Sequence, residues 1–143
     1  MNTEIKHLKQ RAQTFFKDNK RIRCPAFPEE VVLNSKGLSH LFYKGSRKTT
    51  SRSIKEIVVR LELLSRALKL LKMMSLPQEE SVFTDSKGRK CHFFAFEAVV
   101  DERRIKVIVR QVGNGKKHFW SVIPAWRKVR GQRVNAKTDL SKQ

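Results

Sequence analysis

Arg104-Ile105-Lys106-Val107-Ile108-Val109-Arg110-Gln111-Val112 is dominated by β-branched residues, and as an extended chain it places Lys106, Ile108 and Arg110 on one face. Three runs of the same aromatic and β-branched character surround it, Ser81 to Thr84, Cys91 to Val100 and Lys117 to Ile123. The connections are short and polar: Ser86-Lys87-Gly88-Arg89, Asp101-Glu102-Arg103 and Gly113-Asn114-Gly115-Lys116. Runs of this length with such connections predict a four-stranded antiparallel meander. Asn114-Gly115 is expected at the last turn, because both residues tolerate positive φ.

N-terminal to Pro77 the apolar period lengthens. Ile54, Ile57, Val58, Leu61, Leu64, Leu68 and Leu71 follow the i, i+3, i+4, i+7 rhythm of a long helix over about 54–74, with Ser53 as its cap. Arg60 does not belong to its solvated strip: at 100° per residue it falls among Leu64, Ala67 and Leu71. A charge there must find a partner or reach solvent, since unpaired burial is costly. Residues 31–44 read as a short helix and about 3–18 as a first helix carrying Ile5, Leu8, Ala12, Phe15 and Phe16. Between them Cys24-Pro25-Ala26-Phe27-Pro28 breaks regular structure and acts as a linker.

The expected architecture is therefore α+β, with N-terminal helices packed on a four-stranded antiparallel sheet. Residues 1–30 form the helix and proline-containing linker, 31–126 the main domain, and 127–143 a basic flexible tail with little to bury.

Thirty-two Lys and Arg against 13 Asp and Glu leave a formal net charge of +19 on 143 residues. The excess is concentrated in residues 31–76, with 10 basic and 2 acidic groups, and 113–143, with 8 and 1. Two basic blocks flanking a nearly neutral middle suit a domain whose edges approach a phosphate backbone, so RNA is the first partner to consider. A solvated basic surface is the blander reading. No membrane span or secretory signal is legible, and a cytoplasmic location is expected. Cys24 and Cys91 have no second pair near either, so neither a disulfide framework nor a zinc knuckle is indicated. Cys91-His92 with His7 and Cys24 would make an awkward metal set, because adjacent strand residues face opposite ways; no metal or other cofactor is expected.

On a helix, Lys36, His40 and Lys44 are spaced by four and line one stripe, opposite Leu38 and Phe42. Two cations beside an imidazole disfavour its protonated form and keep it available as a base. Metal-independent RNA cleavage needs such a base, an acid for the departing oxygen, and cations on the phosphoryl oxygens. An exposed histidine on a basic helix is the other reading of the same residues. Arg110 can clamp phosphate, or be an ordinary polar-face residue. In Lys117-His118-Phe119-Trp120-Ser121-Val122-Ile123-Pro124, strict alternation puts His118 and Trp120 on one face and Lys117, Phe119 and Ser121 on the other. Both faces cannot front one site. Trp120 and Trp126 can stack on splayed bases, although aromatics in a meander are also core.

Leu33-Asn34-Ser35-Lys36-Gly37-Leu38-Ser39-His40-Leu41, an arginine in the stretch holding Arg47 and Arg52, Arg60-Leu61 with Leu63-Leu64 and Ala67, Ile105 to Arg110, and Lys117 to Pro124 together resemble the phage-associated branch of the barnase–EndoU–colicin–RelE-like ribonuclease superfamily. The resemblance covers about residues 31–126. It implies a metal-independent endoribonuclease fold and a toxin-like hydrolase cutting transfer or messenger RNA by 2′-hydroxyl attack. The helix-borne Lys/His of such relatives maps to Lys36 and His40 and their late-strand serine to Ser121; with Arg60 and Arg110 taken from their own positions, the candidate catalytic set is His40, Arg60, Arg110 and Ser121, with Lys36, Lys44, Arg47, Arg52, Lys117, His118 and Trp120 holding RNA. An acidic antitoxin or immunity protein is an expected partner, since it would neutralise the positive field. The alternative is a non-catalytic nucleic-acid-binding protein on the same fold.

Overall fold

The computed structural model describes residues 3–44, 50–125, 128–129, 132–133, 140–141 and 143, the backbone alone at 128–129 and 132–133. Helix α1 (Thr3–Asp18) is followed by two short strands, β1 (Arg21–Ile22) and β2 (Val31–Val32), and then by α2 (Ser35–Phe42) and α3 (Ile54–Met73). The chain continues through β3 (Glu79–Thr84), β4 (Lys90–Val100), β5 (Arg103–Val112) and β6 (His118–Pro124) to a separate hairpin, β7 (Lys128–Val129) and β8 (Gln132–Arg133).

The fold is α+β, but the expected sheet of four antiparallel strands is instead a mixed sheet of six, in the order β1-β2-β6-β5-β4-β3. β3 to β6 pair antiparallel in sequence; β2 joins β6 in parallel at Val32 and His118, and β1 pairs antiparallel with β2. Two-residue strands carry too little pattern to stand out, so β1 falls within the expected linker and β2 at the start of the helix expected over 31–44.

Helix starts follow from capping side chains. Asn34 accepts from the Lys36 and Gly37 amides, and Ser53 Oγ accepts from the Glu56 amide at 3.2 Å. The apolar faces of α1, α2 and α3 bury one side of the sheet, where Phe94, Phe96, Ile105, Val107, Val109, Phe119 and Val122 meet Leu8, Phe16, Leu41, Leu64 and Leu71. Cys91, Phe93, Ala95, Ile108, Trp120 and Leu140 form a smaller cluster on the opposite side. Cys24 belongs to the first cluster and Cys91 to the second, so the sheet itself separates the two thiols.

The turns differ in detail from expectation. Between β5 and β6 the positive φ falls on Gly113, at 56°, rather than on Asn114-Gly115. Asp101 and Glu102 form a two-residue connection between β4 and β5 with φ of 46° and 68°, the pairing that matches strand twist.

Of the segment expected to be a flexible tail, Leu140 is only 4% exposed and packs in the second cluster. Arg47 and Trp126, and most of 127–143, lie outside the described residues.

Candidate functional site

β6 organises the site through a β-bulge. Ile108 opposes Ser121 while Val109 opposes Phe119, which leaves Trp120 as the extra residue. The extra residue resets the alternation. Phe119 and Val122 face the helices, whereas His118, Trp120 and Ser121 all join the face of Lys106, Ile108 and Arg110. The sequence expectation that Ser121 points away from His118 and Trp120 is thereby corrected.

Helix α2 reaches this face at the edge of β6. It packs so closely that a Cβ at Gly37 would collide with the Phe119 carbonyl oxygen. One turn on, His40 lays its ring over Trp120 with centroids 3.9 Å apart and planes at 17°. The Arg110 guanidinium lies 3.9 Å from the same indole centre. Two groups that close to one ring centre cannot share a side, so the indole sits between an imidazole and a guanidinium.

Both histidines are held through Nε2. Arg52 Nη2 lies 3.0 Å from His40 Nε2, and Arg52 Nε donates to the His40 carbonyl at 2.9 Å. Arg110 Nε donates to His118 Nε2 at 2.9 Å. A guanidinium only donates, so each Nε2 must be an acceptor and the ring proton sits on Nδ1. Burial, then Arg110 and Lys36, pull His118 down to about 4, consistent with a neutral ring.

From α3, Arg60 Nη1 donates to Ser121 Oγ at 2.5 Å, and that hydroxyl donates to the Gln143 backbone oxygen at 2.6 Å. Trp120 Nε1 donates to the Ser141 carbonyl at 3.2 Å. Burial, reinforced by Arg52, lowers Arg60 to about 9, so the guanidinium is still charged at neutral pH. Burial also lowers Arg52 and Arg110.

Thus His40, Arg52, Arg60, Arg110, His118, Trp120 and Ser121 converge, and all seven are buried. His40 is 1% exposed and does not stand on an open stripe with Lys36 and Lys44. The helix ends at Phe42, and the extended backbone of Tyr43 takes Lys44 off its face. Lys36 stays exposed at the start of α2, near enough to act on His118. Lys117 turns to the other side, pairing with Glu29 above the Phe27 and Phe94 rings. Arg52, a residue expected to hold RNA, contacts His40 through both its carbonyl and its ring.

Two participants were not foreseen. Glu56 brings a carboxylate to 3.5 Å from Arg52, and its i+4 spacing from Arg52 was the available signal. The segment ending at Ser141 and Gln143 gave no signal beyond one apolar residue, Leu140, in a basic stretch.

Three buried guanidiniums, Arg52, Arg60 and Arg110, share this interior with Glu56, 3.5 Å from Arg52, and with the Gln143 backbone oxygen that accepts from Ser121. Buried charge of this kind is costly unless it is paired and hydrogen-bonded. Among the described residues, no group of three or more His, Cys, Asp or Glu is placed to hold a metal, and no helix is long and apolar enough to cross a membrane. The chain matches no protein-family model, no curated protein and no solved structure.

Proposed function

We propose that this protein is a metal-independent endoribonuclease acting by 2′-hydroxyl attack. The carrying observation is the convergence of two imidazoles, each accepting through Nε2, and three guanidiniums around Trp120 and Ser121. A phosphodiester is the kind of anion that guanidiniums bind. Its oxygens are acceptors for the hydrogen bonds that Trp120 Nε1 and Ser121 Oγ now give to the Ser141 and Gln143 backbone oxygens.

In the proposed reaction His40 acts as proton acceptor or donor, and Arg60, Ser121 and Arg110 stabilise charge on the phosphoryl oxygens. The 2′-hydroxyl gives up its proton as its oxygen bonds to phosphorus, the bond to the 5′-oxygen breaks, and that oxygen takes up a proton, His40 carrying one of the two transfers and water the other. The products are a 2′,3′-cyclic phosphate and a 5′-hydroxyl. Arg52 keeps His40 in one orientation and one tautomer. The resemblance to the toxin-like ribonucleases supports the same reading and suggests transfer or messenger RNA as target, with an acidic inhibitor as partner.

A non-catalytic nucleic-acid-binding module is the second reading, favoured by one observation: the cluster is buried and its members already bind one another. Purified protein incubated with bulk RNA in EDTA separates the two. Discrete fragments ending in 2′,3′-cyclic phosphate are expected. Intact RNA that shifts on a gel, over a range of pH and enzyme concentration, would leave the binding module standing.

A further inference from the structure

A groove of about 640 Å³ runs beside the cluster, between the C-terminal end of α1, the start of α2 and the β5–β6 turn. Lys17, Lys20, Arg21, Lys36 and Lys116 line it, and no Asp or Glu does. All five are exposed, and none has an ion-pair partner among the described residues. Three come from the segment that the sequence reading set outside the main domain.

The groove leads into the site. His118 is one of its lining residues, and the Nε2 of that ring accepts from Arg110, which lies over Trp120. The start of α2 is not what attracts charge there, since Asn34 already takes the Lys36 and Gly37 amides. Side-chain cations supply the field. Between them lies an apolar strip of half-buried Val32, Leu38 and Val112.

We infer that this groove seats the single-stranded RNA flanking the scissile phosphate, its phosphates on Lys17, Lys20, Arg21 and Lys116 and its bases against the apolar strip. The inference rests on the RNA reading above and adds the strand's path and its single-stranded form. Cations around apolar surface suit unpaired nucleotides, because only unstacked bases can turn a face to the protein while their backbone follows the charge. A duplex would present phosphates alone and leave the strip unused. The volume falls within the range of about 300–1,000 Å³ typical of sites for compact organic ligands.

The test is binding, read by fluorescence anisotropy with a single-stranded RNA whose 2′-hydroxyls are O-methylated so that it cannot be cut. Two variants are compared with wild type: the triple change Lys17→Ala, Lys20→Ala, Arg21→Ala, and Lys116→Ala on the opposite wall. Thermal unfolding is followed in parallel and is expected to stay unchanged, because the four side chains are exposed. The slope of log affinity against log salt should flatten by about 0.7 for each cation lost, or about 2 for the triple variant. Affinity at low salt should fall at least tenfold.

Wild-type affinity and slope in both folded variants would overturn the groove, even if wild type cleaves RNA. Conversely, loss of binding in the variants of a protein that cuts no RNA would keep the groove and remove the ribonuclease reading. Equal or tighter binding of a duplex of the same length would overturn the single-strand assignment. Tighter binding of polyglutamate of matched charge would overturn RNA in favour of an acidic protein.

Discussion

Arg60 of α3 and Ser121 of β6, 61 positions apart, meet at 2.5 Å inside the protein, and the same hydroxyl donates to the Gln143 backbone oxygen. One oxygen therefore joins the long helix, the bulged strand and the C-terminal segment. Ser121→Ala leaves the buried guanidinium without its acceptor and should cost about 1–3 kcal/mol. Arg60→Met replaces the charge with an unbranched apolar chain and should cost less. Chemical denaturation of both single variants and the double variant checks this; a double variant as unstable as the sum of the singles would mean the pair is not coupled.

His40 carries both stability and the proposed chemistry. His40→Ala opens a cavity against Trp120 and strands Arg52, so a loss of about 2 kcal/mol or more is expected. His40→Gln keeps most of the volume and a side-chain acceptor and should fold well. Both should cut RNA at least about 10²-fold more slowly, the scale for removing a general acid or base. Cleavage by a folded His40→Gln protein at the wild-type rate would take His40 off the catalytic list.

Acid should weaken the fold through His118. Its folded value near 4 lies below the ordinary 6.5, so between these pH values the unfolded chain binds a proton that the folded chain does not. The stabilisation is complete above about 6.5 and is lost as pH falls toward 4, by up to about 1.4 kcal/mol per unit. His118→Gln should flatten that part of the stability curve. Asp85 and Asp101, lowered by hydrogen bonds from Arg89 and Lys69, lose their contributions at lower pH and remain in both proteins.

Gly37 sets the distance between α2 and β6. Gly37→Ala must push the helix off the Phe119 carbonyl, and overpacking of this kind costs about 1–3 kcal/mol. Because His40 rides on the same helix, its stacking on Trp120 should loosen as well. A drop in melting temperature together with a blue or red shift of tryptophan emission is expected; unchanged melting would show that the contact yields freely.

Deletion of residues 140–143 should uncover Trp120 and Ser121, which bind the Ser141 and Gln143 backbone oxygens, and remove Leu140 from the second cluster. A modest loss of stability is expected together with faster cleavage of RNA. Slower cleavage by a folded truncated protein would mean that the segment helps to build the site.

Much was legible from the chain alone wherever local pattern decides structure. The 3.6-residue rhythm fixes α1 and α3, β-branched runs fix β3 to β6, and the angular position of Arg60 within α3 betrays a buried charge before any partner is known. Net charge and its concentration in two blocks likewise follow from counting. Tertiary structure alone decided the rest. β1 and β2 are too short to carry a period, and β6 turns Ser121 toward Trp120 only because pairing with β5 leaves one extra residue. His40 is buried because α2 docks through Gly37, a contact between positions 82 apart that no local pattern encodes. Arg52 is committed to His40 for the same reason: a side chain's partners depend on which surfaces the folded chain brings together, and sequence spacing reports only its neighbours on one element.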